Sequence, residues 1–82
     1  MTNNTIKNRI RKCLLNDTRE GVDVGRIRFE GVVRHENGMI VINKVTLSLN
    51  SIDGVLIDEI KNALVEFEMN NNINLTNICL EI

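Results

Sequence analysis

The sequence has few of the residues that most often carry catalysis, metal binding or base stacking. Its 82 residues include no proline, tryptophan or tyrosine, and only two phenylalanines, two cysteines and one histidine. Cys13 and Cys79 are too far apart in the chain for a CxxC metal or redox pair, and too few for a secreted disulfide framework. We therefore expect two reduced thiols with a structural role and no metal site.

Groups suited to chemistry are also isolated from one another. His35 falls in a predicted turn, without the convergent partner that a general base or a nucleophile requires. The glycines follow neither GxGxxG nor GxxxxGK[ST], the spacings that let backbone amides surround a phosphate. The carboxylates of the second predicted helix are expected to be solvated: Asp58, Glu59, Glu66 and Glu68. We expect no enzyme activity and no cofactor.

Length and hydropathy predict one domain without a membrane segment. No apolar run approaches the roughly 20 residues of a membrane span. The first five residues lack the basic-then-apolar pattern of a secretory signal, so we expect a cytoplasmic protein. A chain of 82 residues has room for one hydrophobic core and buries only about 60 to 65% of its unfolded surface. We therefore expect a single domain over residues 1–82 that gains stability as a homodimer.

Apolar periodicity predicts a helix and then a strand in the first part of the chain. A helix is expected over residues 5–16, capped by Asn4 or Thr5. Its apolar residues recur at helical spacing: Ile6, Ile10, Cys13 and Leu14. Over residues 22–34 the period changes to two, which predicts a half-buried strand with a bulge at Gly31.

Asn37-Gly38 between two strand-like runs predicts a β-hairpin, because both residues tolerate positive φ. The returning strand, residues 39–49, has Ile40 and Ile42 on one parity, and more apolar residues on the other: Met39, Val41, Val45, Leu47 and Leu49. Such a strand is typically covered on both faces. The sheet face that the helices leave open is therefore either partly solvated or a dimer contact, and the parity favours the dimer.

A second helix and a last strand complete the chain. Asn50 or Ser51 is expected to cap the helix, which ends at the breaker of residues 70–72. Its apolar stripe is Ile52, Leu56, Ile60, Ala63, Leu64 and Phe67. The last strand is expected over residues 73–82, and its edge, residues 77–82, is a candidate for pairing with another chain.

The element order is α-β-β-α-β, which is typical of the α+β class. A helical crossover returns the last strand in the direction of the second strand. We expect a three-stranded, mostly antiparallel sheet in the order 2-1-3, with the two helices on one face.

Charge is distributed unevenly along the chain. Residues 1–34 contain eight basic and four acidic residues, and the remainder contains two basic and seven acidic ones, for a net charge of −1. This polarity points to a charged partner. The predicted partner-binding residues are Lys7, Arg9, Arg11, Lys12, Arg26, Arg28 and Arg34.

Two binding functions fit this distribution. The first is a small protein-binding module, of inhibitor or adaptor type, that presents the basic first helix and the acidic second helix to charged partners. The alternative is a nucleic-acid-binding regulator whose basic helix neutralises phosphates. Net acidity and the lack of surface aromatics for base stacking argue against this alternative. Ordinary solvated surface is a third interpretation. The Asn- and Ile-rich composition is compatible with a phage or mobile-element product.

Overall fold

The computed structural model describes all 82 residues and contains two helices and four strands. They are α1 (Asn3–Asp17), β1 (Arg26–Arg34), β2 (Ile40–Ser48), α2 (Gly54–Asn71), β3 (Ile73–Leu75) and β4 (Ile78–Glu81). The predicted α+β class is confirmed. The predicted last strand is divided at Thr76 and Asn77 into β3 and β4, which both pair with β2.

Both helices begin at a side-chain cap that satisfies a free backbone amide. Thr2 caps α1, and its Oγ1 accepts a hydrogen bond from the Thr5 N–H at 3.1 Å. Asp53 caps α2, where its Oδ1 accepts from the Leu56 N–H at 2.8 Å. The predicted caps at residues 4–5 and 50–51 were misplaced by two or three residues, because several neighbouring Thr, Asn, Ser and Asp side chains are each suited to this position.

β2 is the central strand of the sheet. β1 pairs with it in antiparallel orientation, whereas β3 and β4 pair with it in parallel orientation. The predicted strand order 2-1-3 is therefore wrong; the observed order is 1-2-3, and the sheet is mixed rather than mostly antiparallel. The apolar residues of β2 are best buried between two neighbours, whereas the alternating charges of β1 suit an edge.

A kink near Gly31 crosses the whole sheet, from β1 through β2 to the break between β3 and β4. The buried apolar residues of β2 are Ile40 and Ile42, and then Val45 and Leu47, so the interval from Ile42 to Val45 is three residues instead of two. The register between β1 and β2 is the same on both sides of the kink, and Gly31 has a φ of 69°. Ile40 and Ile42 consequently face the same core as Val45 and Leu47.

This kink turns Ile40 and Ile42 away from the second sheet face, on which their parity had placed them. The interpretation of these two residues was wrong, because strict alternation does not hold across the kink. A dimer contact on that face thereby loses its basis in the sequence. Self-association itself stays a prediction.

The two helices lie antiparallel on one face of the sheet, as predicted. Arg9 of α1 contacts Asn71 near the end of α2, and Arg19, just after α1, contacts Glu59 in its first half. Both helices contribute to one core of 17 buried residues. The opposite sheet face, here called the open face, carries polar and charged side chains together with the exposed Val33 and the half-buried Val41, which lie opposite each other. No helix of the structure has the length and apolar character needed to cross a membrane.

Candidate binding surface around the first strand

The structure divides the seven predicted basic residues between two sides of α1. Arg9 and Lys12 lie toward α2. The other five surround β1: Lys7, Arg11, Arg26, Arg28 and Arg34. We call these five residues, together with the outer edge of β1, the β1 side. The basic helix is therefore not one uniform contact face, as the sequence had predicted.

Lys7 and Arg11 lie one helical turn apart on the flank of α1 that faces β1. The Lys7 Nζ is 5.3 Å from the centroid of the Phe29 ring, a cation–π arrangement. The Arg11 Nη1 donates a hydrogen bond to the Val24 carbonyl, just before β1 begins. Both side chains are half-buried, and their charges lie on the helix side of β1.

Arg26 and Arg28 project from the open face, because they alternate along β1 with the buried Ile27. The Arg28 Nη2 is 2.8 Å from the Glu81 Oε1. Ser48 donates a hydrogen bond to the same oxygen at 2.9 Å. The Ser48 hydrogen bond and the nearby arginines hold the pKa of Glu81 below its ordinary value.

Arg34 connects the end of β1 to the beginning of α1. Its guanidinium donates to the Met1 carbonyl at 2.6 Å and to the Asn3 Oδ1 at 2.9 Å. Beside it an open groove of about 580 Å³ separates the first turn of α1 from Val32. The helix side of β1 is thus less completely covered here than at Ile27.

Arg9 and Lys12 line a different groove, of about 230 Å³, between α1 and α2. The Arg9 Nη1 donates to the Asn71 Oδ1 at 2.9 Å, and the Asn71 Nδ2 donates to the Phe67 carbonyl at 2.9 Å. Cations are favourable at this end of α2, where the last helical carbonyls lack partners. Arg9 therefore has a role within the fold, whereas Lys12 is an exposed residue at the rim of the groove.

Cys13 lies at the same interface between the helices. Its thiol is within hydrogen-bonding distance of the Ala63 carbonyl at 3.4 Å and of the Asp17 Oδ2 at 3.5 Å. Burial, reinforced by the contact with Asp17, raises the pKa of Cys13 to about 11. The thiol stays protonated at neutral pH, which agrees with the predicted structural role.

Acidic residues of the predicted second contact surface also have internal partners. Asp53 is the N-cap of α2, and Glu59 lies 3.7 Å from Arg19. Glu68 is partly buried, and its Oε2 accepts a hydrogen bond from the Leu75 N–H at 2.8 Å. Among the acidic residues of α2, only Asp58 and Glu66 are exposed and have no such contact.

The outer edge of β1 has no neighbouring strand. The Val45 N–H bonds to Asn77 on the far side of β2, so the next residue, Thr46, directs its backbone polar groups toward β1. Thr46 is opposite Arg28. The backbone N–H and C=O groups of Ile27 and Phe29 therefore point away from the sheet.

Sequence reasoning missed this edge, because the predicted order 2-1-3 placed β1 in the centre. The alternation of Arg26 and Arg28 with apolar residues, beside a more apolar β2, was the pattern that could have identified it. The predicted edge at residues 77–82 does lie at the other side of the sheet, in β4.

Comparison with protein-family models, with curated proteins and with solved structures finds no match for this chain. The structure also contains no group of three or more His, Cys, Asp or Glu side chains placed to hold a metal ion.

Proposed function

We propose that this chain is a cytoplasmic, non-enzymatic protein-binding module of inhibitor or adaptor type, and that its contact surface is the β1 side. The observation that carries the proposal is a strand edge whose outward backbone groups, at Ile27 and Phe29, have no neighbouring strand. Lys7, Arg26 and Arg28 lie beside these groups, and the one carboxylate of β1, Glu30, is 3.7 Å from Lys44. Arg11 and Arg34 flank this edge and are hydrogen-bonded within the fold. The positive charges attract an acidic partner, and the free edge offers it hydrogen bonds.

The backbone groups at the edge favour a protein over a nucleic acid. Ile27 and Phe29 present both N–H donors and C=O acceptors, and an extended polypeptide supplies both complements. A phosphate backbone supplies acceptors only. Phe67 is 3% exposed and Phe29 lies against Lys7, so neither aromatic ring is free to stack on bases.

A matched pair of triple variants tests this function. The first, Lys7→Gln with Arg26→Gln and Arg28→Gln, removes three charges from the β1 side. The control removes the same charge elsewhere through Arg9→Gln, Lys12→Gln and Arg19→Gln. Each immobilised chain is exposed to nuclease-treated extract of the organism that encodes it, and the retained proteins are compared.

The expected result is a set of proteins retained by the wild type and the control and lost from the β1-side variant. Equal retention by all three chains would place the contact surface elsewhere. Binding that is present with untreated extract and lost with nuclease-treated extract would identify nucleic acid as the partner and contradict the proposal.

Self-association is a separate part of the proposal, because the small core gains stability from a second buried surface. Light scattering across micromolar concentrations tests it directly. A mass that rises above that of the 9.3 kDa chain is expected. A constant monomer mass would contradict it without affecting the proposal for the β1 side.

A further inference from the structure

β1 offers a short regular stretch of free edge. A kink at Gly31, with its φ of 69°, ends the regular part of the strand. Residues 26 to 30 precede this kink, and Ile27 and Phe29 direct their backbone groups outward. An added strand of five residues is about 17 Å long at a rise of roughly 3.3 Å per residue.

We infer that this stretch binds an extended segment of a partner protein as an added β-strand, in which acidic and apolar side chains alternate. The inference rests on the proposed function and names its partner chemistry. Backbone hydrogen bonds to Ile27 and Phe29 hold the segment in place, and its side chains determine the specificity.

The two faces of β1 require different side chains on the added strand. On the open face the neighbours are Arg26, Arg28 and the exposed Glu30, whose carboxylate lies 3.7 Å from the Lys44 Nζ. Arg26 and Arg28 favour carboxylates at the positions of the segment next to them, whereas Glu30 disfavours one beside it. Glu81 contacts one end of the Arg28 guanidinium, which has further donors available. On the helix side the neighbours are Ile27 and the half-buried Phe29, which favour apolar side chains between the carboxylates.

Charge disfavours a second copy of β1 as the occupant. Antiparallel pairing of two copies through this edge would place Glu30 of one copy near Arg26 of the other, but Arg28 would face Arg28. The stretch stays net positive in both copies because Lys7, Arg26 and Arg28 outnumber Glu30, and like charges repel at this range. The β3–β4 edge of a second copy is also a poor occupant, because its outward Leu75 amide already donates a hydrogen bond to Glu68.

Synthetic peptides test the inference, with amide hydrogen exchange measured by NMR. The probe is a seven-residue peptide in which Glu and Val alternate. A control of the same composition groups all Glu residues before the Val residues, so that charge is kept and alternation is lost. We expect the alternating peptide to slow exchange at Ile27 and Phe29 by about tenfold or more and to leave Arg28 unchanged, since only the first two amides gain a bond.

The variant Arg26→Gln with Arg28→Gln should weaken binding of the alternating peptide about five- to tenfold, as expected for two exposed ion pairs. The matched control Arg9→Gln with Lys12→Gln should change it by less than about twofold, because both residues lie on the other side of α1. The hydrogen-exchange experiment uses the wild-type protein. Its result therefore does not depend on whether these variants fold.

The outcomes separate this inference from the proposed function. Binding at the β1 side without slower exchange at Ile27 and Phe29, or equal binding of the two peptides, would overturn strand addition and leave the proposed function intact. If rising protein concentration alone slows exchange of these amides, the occupant is a second copy. If duplex DNA alone slows it, the occupant is a nucleic acid. Either result would overturn the inference. Absence of both peptide binding and retained proteins would overturn both proposals.

Discussion

The two edges of the sheet, β1 on one side and β3 with β4 on the other, differ in length, continuity and cover. β1 is nine residues long, whereas β3 and β4 have three and four residues separated by Thr76 and Asn77. The Glu68 carboxylate binds the outward Leu75 amide of β3. No comparable contact reaches the outward groups of Ile27 and Phe29.

Exposed strand edges pair readily with other chains, and proteins restrict this with breaks, charges and covering groups. The β3–β4 edge has a break and a covering carboxylate. The β1 edge instead has net positive charge, with one carboxylate, Glu30, among its basic residues. The net charge deters pairing with another copy and attracts an acidic segment. The difference therefore indicates which edge is available for a partner, and the following experiments either remove or sharpen it.

The largest effect is expected for Leu47→Ala, which weakens both edges together. Leu47 is fully buried and lies opposite Ile27 of β1 and Leu80 of β4. Loss of its side chain should lower the free energy of unfolding by about 3 kcal/mol, measured by urea denaturation. Val33→Ala, at an exposed position of β1, is the control and should cost less than about 0.5 kcal/mol. Equal costs would contradict the central position of β2.

Gly31→Ala should destabilise the kink that limits the free edge. A Cβ at this position would clash with the Asn43 side chain, and the φ of 69° disfavours any L-residue with a side chain. We expect a loss of about 2 kcal/mol in the same denaturation experiment. Gly38 also has a positive φ, of 91°, but no atom lies near the Cβ that an alanine would add. Gly38→Ala therefore measures the cost of the backbone conformation without the cost of a clash. Indistinguishable losses would show that Asn43 contributes nothing.

Glu68→Ala should open the protected edge. Removing the acceptor of the partly buried Leu75 amide should cost about 1.5 kcal/mol, since hydrogen bonds to charged groups are stronger than neutral ones. Exchange of the Leu75 amide should become faster. Glu66→Ala, on the exposed part of the same helix, is expected to change stability by less than about 0.5 kcal/mol. Unchanged exchange at Leu75 would contradict the role given to Glu68.

Local patterns predicted the elements better than their assembly. The hairpin forms at Asn37-Gly38 as predicted, although only Gly38 takes a positive φ, of 91°. The buried stripes of both helices follow from apolar spacing. The strand order did not follow, because pairing of the last strand with β1 or β2 is decided by burial of whole strands. The kink at Gly31 was predicted only as a bulge in β1, and its continuation into Asn43 reversed the face of Ile40 and Ile42.

The candidate site was predicted in part for the same reason. Arg26 and Arg28 were recognised as outward residues of a strand, but the free edge beside them depends on the strand order. Arg9 and Lys12 were grouped with Lys7 by sequence proximity, although a helix places residues two or five positions apart on different sides. Only tertiary packing shows that α2 adjoins one of those sides.

The smallest effect concerns Glu81, which is bound to Ser48 and Arg28 on the open face. Its pKa is lowered by the Ser48 hydrogen bond first and by the arginines second. A lowered folded-state pKa stabilises the fold above the ordinary pKa of glutamate, and this contribution is lost as the pH falls through the folded-state value. Ser48→Ala should raise the pKa of Glu81 in an NMR titration of its carboxyl group. An unchanged titration would contradict the importance of Ser48.

Amide hydrogen exchange of the free protein at low concentration tests the difference between the edges most directly. Phe29 should exchange at least about tenfold faster than its neighbour Arg28, whose amide faces β2, because only the Arg28 amide is paired. Leu75 should exchange slowly under the same conditions because Glu68 accepts its N–H. Equally slow exchange at Phe29 and Arg28 in the monomer would contradict a free β1 edge.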